Sequence, residues 1–141
     1  MRQDFRHDQS RVAMRESRGG RLVSYRHHGS TCIEVEQPNL TTHHEIEELR
    51  RELGELVRLA DPPNVVLDLE QVEWVSSELL GVLIASGEQL RRRGGQLKLA
   101  GVSKAIAGML SASKLHKRLP AYPTVNEAAG SFSRGWWPFG R

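Results

Sequence analysis

Residues 64–81 read Asn-Val-Val-Leu-Asp-Leu-Glu-Gln-Val-Glu-Trp-Val-Ser-Ser-Glu-Leu-Leu-Gly. The run Val65, Val66, Leu67 and Leu69 is apolar and rich in β-branched residues, the pattern of a strand covered on both faces. Such strands belong to sheets whose helical crossovers pack on them, and this constrains the chain to an α/β architecture. A turn at Glu70 and Gln71 separates the strand from Ser76 and Ser77, which open an apolar helix. A serine at a helix start holds its hydroxyl beside backbone N–H groups that lack intrahelical acceptors, where a phosphate is accommodated.

The flanking segments extend the same pattern. Leu22, Val23 and Tyr25, a turn at His28-Gly29-Ser30, and Thr31-Cys32-Ile33-Glu34-Val35 predict a hairpin whose second strand alternates and so has one wet face. Thr42 and Glu45 match a capping box, predicting a helix to about Ala60 with Ile46, Leu49, Leu53, Leu56 and Val57 on its buried stripe. Glu47 with Arg51, and Arg51 with Glu55, are spaced as i, i+4 pairs on its wet side. Asp61-Pro62-Pro63 ends this helix, because proline cannot continue the hydrogen-bond ladder.

The helix from about Ser77 to Arg93 is expected to bury Leu80, Leu83, Ile84, Gly87 and Leu90, with Leu79 and Val82 to the side. Gly94-Gly95 stops it, and residues 96–102 alternate as a strand. Ser103 caps a third helix carrying Ile106, Met109, Leu110 and Leu115. Pro120 and Pro123 bracket a short extended piece at Tyr122, and residues 124–129 read as one or two helical turns. The predicted fold is α/β: a mixed, mainly parallel sheet of four to five strands with helices packed against it. In such sheets ligands and partners meet the loops at the carboxyl ends of the parallel strands, and Ser76 and Ser77 lie just past such an end.

A length of 141 residues with 38% hydrophobic and 26% charged side chains suits one domain with tails. Residues 1–20 read as a disordered basic tail, residues 21–130 as the domain, and residues 131–141 as a tail carrying Trp136, Trp137 and Phe139. The net charge of +3 has its basic excess early in the chain, at Arg2, Arg6, Arg11, Arg15, Arg18, Arg21 and Arg26, which is a property of a solvated tail and not of a specific nucleic-acid surface. A single cysteine, Cys32, allows no intramolecular disulfide, and no apolar stretch reaches the roughly 20 residues of a bilayer span. A cytoplasmic protein is expected.

The common enzyme signatures are absent: there is no phosphate-binding lysine loop, no Gly-x-Gly-x-x-Gly, no Gly-x-Ser-x-Gly, no Cys-x-x-Cys and no His-Glu-x-x-His. No catalytic residue, cofactor or metal site is therefore assigned. His43 and His44 precede Glu45, but adjacent histidines at a helix start point in different directions, and there is no second ligand pair. Trp136 and Trp137 suit a partner or headgroup contact, or a segment folded back on its own domain.

The stretch Val-Val-Leu-Asp-Leu-x-x-Val-x-Trp-Val-Ser-Ser-x-x-Leu-Gly-Val-Leu at 65–83 resembles the central motif of STAS domains, the fold of the anti-sigma-factor antagonists. The likeness continues through Arg92-Arg93-Gly94-Gly95-Gln96-Leu97-Lys98-Leu99, Ser113-Lys114-Leu115 and Tyr122-Pro123-Thr124, and covers about 21–129. The family's Asp-Ser-Ser-Gly-Leu-Gly places its aspartate on Ser76, its phosphorylated serine on Ser77, its second serine on Glu78 and its first glycine on Leu79; Leu80 and Gly81 match directly. Residues 36–42 lack the Gly-Glu-Leu-Asp element that many antagonists carry.

What the resemblance implies is a non-enzymatic binding switch in transcription regulation. Its partner is an anti-sigma factor that is itself a serine kinase, docking on Ser76, Ser77, Glu78, Leu79 and Val82. Phosphorylation at Ser77, with Ser76 the alternative, adds about 1.5 to 2 negative charges at that contact. The competing expectation is an unphosphorylated STAS scaffold subunit of a larger regulatory or transport complex, in which the serine pair is only a helix cap.

Overall fold

The computed structural model describes residues 15–16 and 21–134. The expectations for the rest of the N-terminal segment and for the Trp136-Trp137 tail lie outside the described residues. In chain order the elements are β1 (Arg15–Glu16), β2 (Leu22–His27), β3 (Ser30–Val35), β4 (Asn39–Leu40), α1 (His43–Leu59), β5 (Asn64–Asp68), β6 (Trp74–Val75), α2 (Glu78–Arg92), β7 (Gln96–Ala100), α3 (Lys104–Ala112), β8 (Ala121–Tyr122) and α4 (Val125–Arg134).

The main sheet runs β1-β2-β3-β5-β7-β8. The first two pairings are antiparallel and the next three parallel, so β3, β5, β7 and β8 form the parallel part reached by helical crossovers. β1 pairs along β2 through Arg15 opposite Ser24 and Glu16 opposite Val23, within the segment read as a tail. A separate parallel ladder joins β4 to β6, Asn39 opposite Trp74 and Leu40 opposite Val75. No apolar periodicity marks strands this short, so neither is predicted from the sequence pattern.

Two faces follow from the period-2 alternation of the central strands. Leu22, Ile33, Val35, Val65, Leu67, Leu97 and Leu99 point to one face and pack beneath α1, α2 and α3, which supply Leu49, Leu53, Leu83, Leu90, Ile106 and Leu110. Tyr25, Cys32, Val66 and Ala100 point to the other, covered by Ala128 and Ala129 of α4. Among the described residues no helix is long and apolar enough to cross a membrane.

α1 forms as its pattern predicts. The Glu45 amide donates to Thr42 Oγ1 at 3.1 Å while the Glu45 carboxylate takes the Thr42 amide, and the five stripe residues are buried. Its wet side differs: Glu47 pairs with Arg50, and Glu55 with Arg58 at 2.8 Å, each three residues apart instead of four. At the end of α2, an added Cβ on Gly95 would lie 1.6 Å from the Pro63 carbonyl oxygen, so only glycine admits this approach. Beside it, Gly94 takes φ +87°, the left-handed conformation that ends helices.

Two further expectations are corrected. β3 has no wet face toward α4, because Glu34 is 3% exposed, as is Asp68 opposite it on β5. Gln71 donates to Glu34 Oε2 at 2.8 Å and the Glu70 amide to Asp68 Oδ1 at 3.0 Å, so the buried carboxylates hold the turn after β5. On β7 the buried Lys98 ammonium donates to Ser131 Oγ at 2.6 Å and sits 4.2 Å from the Phe132 ring centre, tying α4 to the sheet. Burial, with the Asp68 charge added, pushes the Cys32 thiol up to about 12. Finally, α4 continues through Gly130 to Arg134, because its inner side is buried against the sheet at Ala128, Ala129 and Ser131.

Candidate functional site

The loop that carries the serine pair is built from two sides. From the β4 side, the Pro38 carbonyl accepts the amides of Glu73 at 2.8 Å and Trp74 at 3.2 Å, and the Leu40 carbonyl accepts the Ser76 amide at 2.9 Å. From the helix side, the Leu79 amide donates to the Ser76 carbonyl at 3.1 Å and the Leu80 amide to the Ser77 carbonyl at 3.0 Å. The backbone of 73–80 is thus held at both ends by groups that water would otherwise have to satisfy.

The two serines occupy different environments. Ser77 is exposed, with φ −66° and ψ −14°, already helical, and its hydroxyl makes no capping bond. This corrects the reading of Ser77 as an N-cap hydroxyl: a side chain reaches back to the N2 or N3 amide from an extended backbone, which Ser77 does not have. Ser76 is half-buried, and its Oγ is enclosed with no hydrogen-bond partner among the described residues. A phosphate on Ser77 would project into solvent beside the first turn of α2, whereas one on Ser76 would have to displace protein.

Glu78, exposed beside Ser77, places Oε2 2.7 Å from His43 Nδ1, so the first residue of α1 meets the first residue of α2. That hydrogen bond, with the carboxylate's charge, raises the His43 pKa above its ordinary value. His44 turns away to Glu48, 3.2 Å distant, so the adjacent imidazoles do diverge.

Leu79 and Val82 lie elsewhere than expected. They are 0% and 4% exposed, packed in the core with Leu83 and Leu90, while Leu80, Ile84 and Gly87 are only partly buried. The buried stripe of α2 is rotated toward Leu79 because α2 packs against both α1 and β7. Leu79 and Val82 therefore support the loop from beneath and are not contact residues in this conformation. Around the serines Glu73, Ser77 and Glu78 are exposed, and so is Trp74, at 62% open to solvent, which the motif does not single out as a contact residue. Its signal was a tryptophan in a polar stretch between strand and helix, next to Glu73.

An exposed serine past the carboxyl end of a parallel strand, opening a helix packed on a mixed sheet, is the arrangement that the motif at 65–83 anticipated. The family model of the STAS domain matches residues 23–128. The chain belongs to the STAS domain family. A relative from Paenibacillus polymyxa, named anti-sigma F factor antagonist, is 24% identical over 100 residues, 71% of this chain and 85% of that protein. An anti-sigma-factor antagonist STAS protein of Planctomyces limnophilus superposes with TM-score 0.68 at 23% identity, covering 78% of this chain and 95% of its own. An anti-sigma factor antagonist from Mycobacterium paratuberculosis gives TM-score 0.67 at 26% identity over 78% of this chain and 91% of its own. Within the STAS frame, Leu79 stands inward where the family motif has glycine, filling the core without crowding the outer surface of the loop.

Proposed function

We propose that this STAS protein is an anti-sigma-factor antagonist that binds a serine-kinase anti-sigma factor through the surface around Ser77 and is switched by phosphorylation of Ser77. The observation that carries the reading is the exposed Ser77 hydroxyl, uncommitted to capping, at the start of α2. Relatives named as antagonists of anti-sigma factors support the partner class.

In the unmodified state the partner rests on Ser77, Glu78 and Trp74, over a base made rigid by Leu79, Val82 and the β4–β6 ladder. Transfer of a phosphoryl group from ATP to Ser77 Oγ places a near-dianion on that surface. The helix N-terminus tolerates the charge, and a partner face shaped for a neutral hydroxyl beside Glu78 does not. The fold persists and the complex dissociates. In the scaffold reading the serine pair would serve only as a helix cap, and the absence of a capping bond from either side chain favours the switch.

The test is incubation with the cognate kinase and ATP, followed by mapping of the phosphate. Uptake at Ser77, lost in Ser77→Ala with binding retained and binding weakened in Ser77→Asp, is expected. Equal partner affinity of the two variants would reject the switch.

A further inference from the structure

We infer that His27, His28 and Asn126 form a binding site for a late first-row divalent metal ion. In a regular strand, successive side chains point to opposite faces. Here β2 and β3 join by a two-residue turn between paired His27 and Ser30, with φ +54° at His28 and +80° at Gly29. Positive φ at both central positions is the type I′ pattern, which usually takes Asn-Gly. A histidine in that conformation swings its ring toward that of its neighbour: the two imidazole centres are 4.4 Å apart and inclined at 65°. Both Nε2 atoms then converge on one oxygen, Asn126 Oδ1, each at 3.0 Å.

The 3.0 Å from each Nε2 to Oδ1 is a hydrogen-bond length and also falls within the range that separates neighbouring ligands of a metal ion. With metal–nitrogen and metal–oxygen bonds of about 2.0–2.2 Å, ligand atoms stand about 2.9 Å apart at right angles and about 3.4 Å apart at the tetrahedral angle. A metal would take the place of the contacts that now join the two imidazoles to one amide oxygen, and the exposed position of His28 and Asn126 leaves its remaining sites to water. Two imidazoles and a neutral oxygen select Zn2+, Ni2+ or Cu2+ over Mg2+ or Ca2+, which prefer all-oxygen shells. No three His, Cys, Asp or Glu side chains converge among the described residues; the third donor in this proposal is the Asn126 amide oxygen, which both rings already approach. His27 ends β2, His28 lies in the hairpin turn and Asn126 in the first turn of α4, so a bound ion staples that helix to the hairpin.

The test is titration of the full chain with Zn2+, Ni2+ and Mg2+, by calorimetry and by thermal shift. Saturable binding of about one equivalent of Zn2+ or Ni2+, a raised melting temperature and no response to Mg2+ are expected. His28→Gly, which keeps the turn, should abolish binding, and Asn126→Ala should weaken it about tenfold or more, as loss of even an outer-shell partner commonly does. The double variant His43→Ala/His44→Ala should bind like the parent. The site is rejected if no saturable binding occurs, if His28→Gly still binds, if Asn126→Ala binds as tightly as the parent, or if the His43/His44 variant is the one that fails.

Discussion

The amide of Ser76 donates to the carbonyl of Leu40 at 2.9 Å, so the segment entering α1 fixes the position of the segment entering α2. The side chains repeat this link one step further on, where His43 of α1 meets Glu78 of α2 at 2.7 Å. The exposed serine between these contacts is carried by two helix starts, and a change in either is felt at Ser77.

His43 reports on this junction. Its pKa is raised, first by the hydrogen bond to Glu78 and then by the charge of that carboxylate. A folded-state value above the ordinary 6.5 means that the bridge stabilises the native protein below that pH and loses its contribution as pH rises through the raised value. Proton NMR titration of the His43 ring should show this elevation and its disappearance in Glu78→Gln. An unchanged His43 titration in that variant would place the cause elsewhere.

Leu79 is fully buried where the family motif carries glycine. Leu79→Ala is expected to cost about 2–5 kcal/mol by opening a cavity, and Leu79→Gly about 1 kcal/mol more through the helix backbone. Urea unfolding followed by circular dichroism measures both. Restoring the family residue is thus predicted to harm this particular chain, and an unaffected midpoint would mean that Leu79 faces solvent.

Trp74 is the exposed aromatic residue nearest the serines in sequence, held by backbone bonds to Pro38. Large aromatic side chains dominate binding when a partner desolvates them, so Trp74→Ala should weaken the proposed complex with an anti-sigma factor by about 2 kcal/mol, roughly thirtyfold in Kd. Its melting temperature should stay close to that of the parent, since little of the side chain is buried. A fall in thermal stability with unchanged affinity would assign it a structural role instead.

Gly94 and Gly95 are adjacent, yet they resist substitution for different reasons. Gly94→Ala meets open space and costs only the left-handed backbone, about 1–2 kcal/mol. Gly95→Ala drives a methyl to 1.6 Å from the Pro63 oxygen and must move the β5 entry, so it should be the more damaging change by differential scanning calorimetry. Equal melting temperatures for the two variants would contradict the close approach.

Much of this was legible along the chain. The capping box at Thr42 and Glu45, the α1 stripe, the β5 run and the Gly94-Gly95 stop are local, each set by interactions within a few residues of one another. The candidate site was legible as a position, through Ser77, but its composition was not. Leu79 and Val82 look like surface residues on a helical wheel drawn around Leu80 and Leu83, and they become core only because α2 is wedged between α1 and β7. Trp74 lies in a strand two residues long, whose existence depends on β4, far away in sequence.

The sequence by itself determined the alternation of strands and helices, the family motif and the serine that ends the central crossover loop. These rest on hydrophobic period, capping and proline or glycine stops, all short-range. Only the tertiary structure decided which serine is accessible, which apolar residues of α2 are inside, and that Glu34, Asp68 and Lys98 are buried beneath α4. Each of those outcomes depends on what a distant element covers, and burial is a property of the packed sheet and not of any single strand.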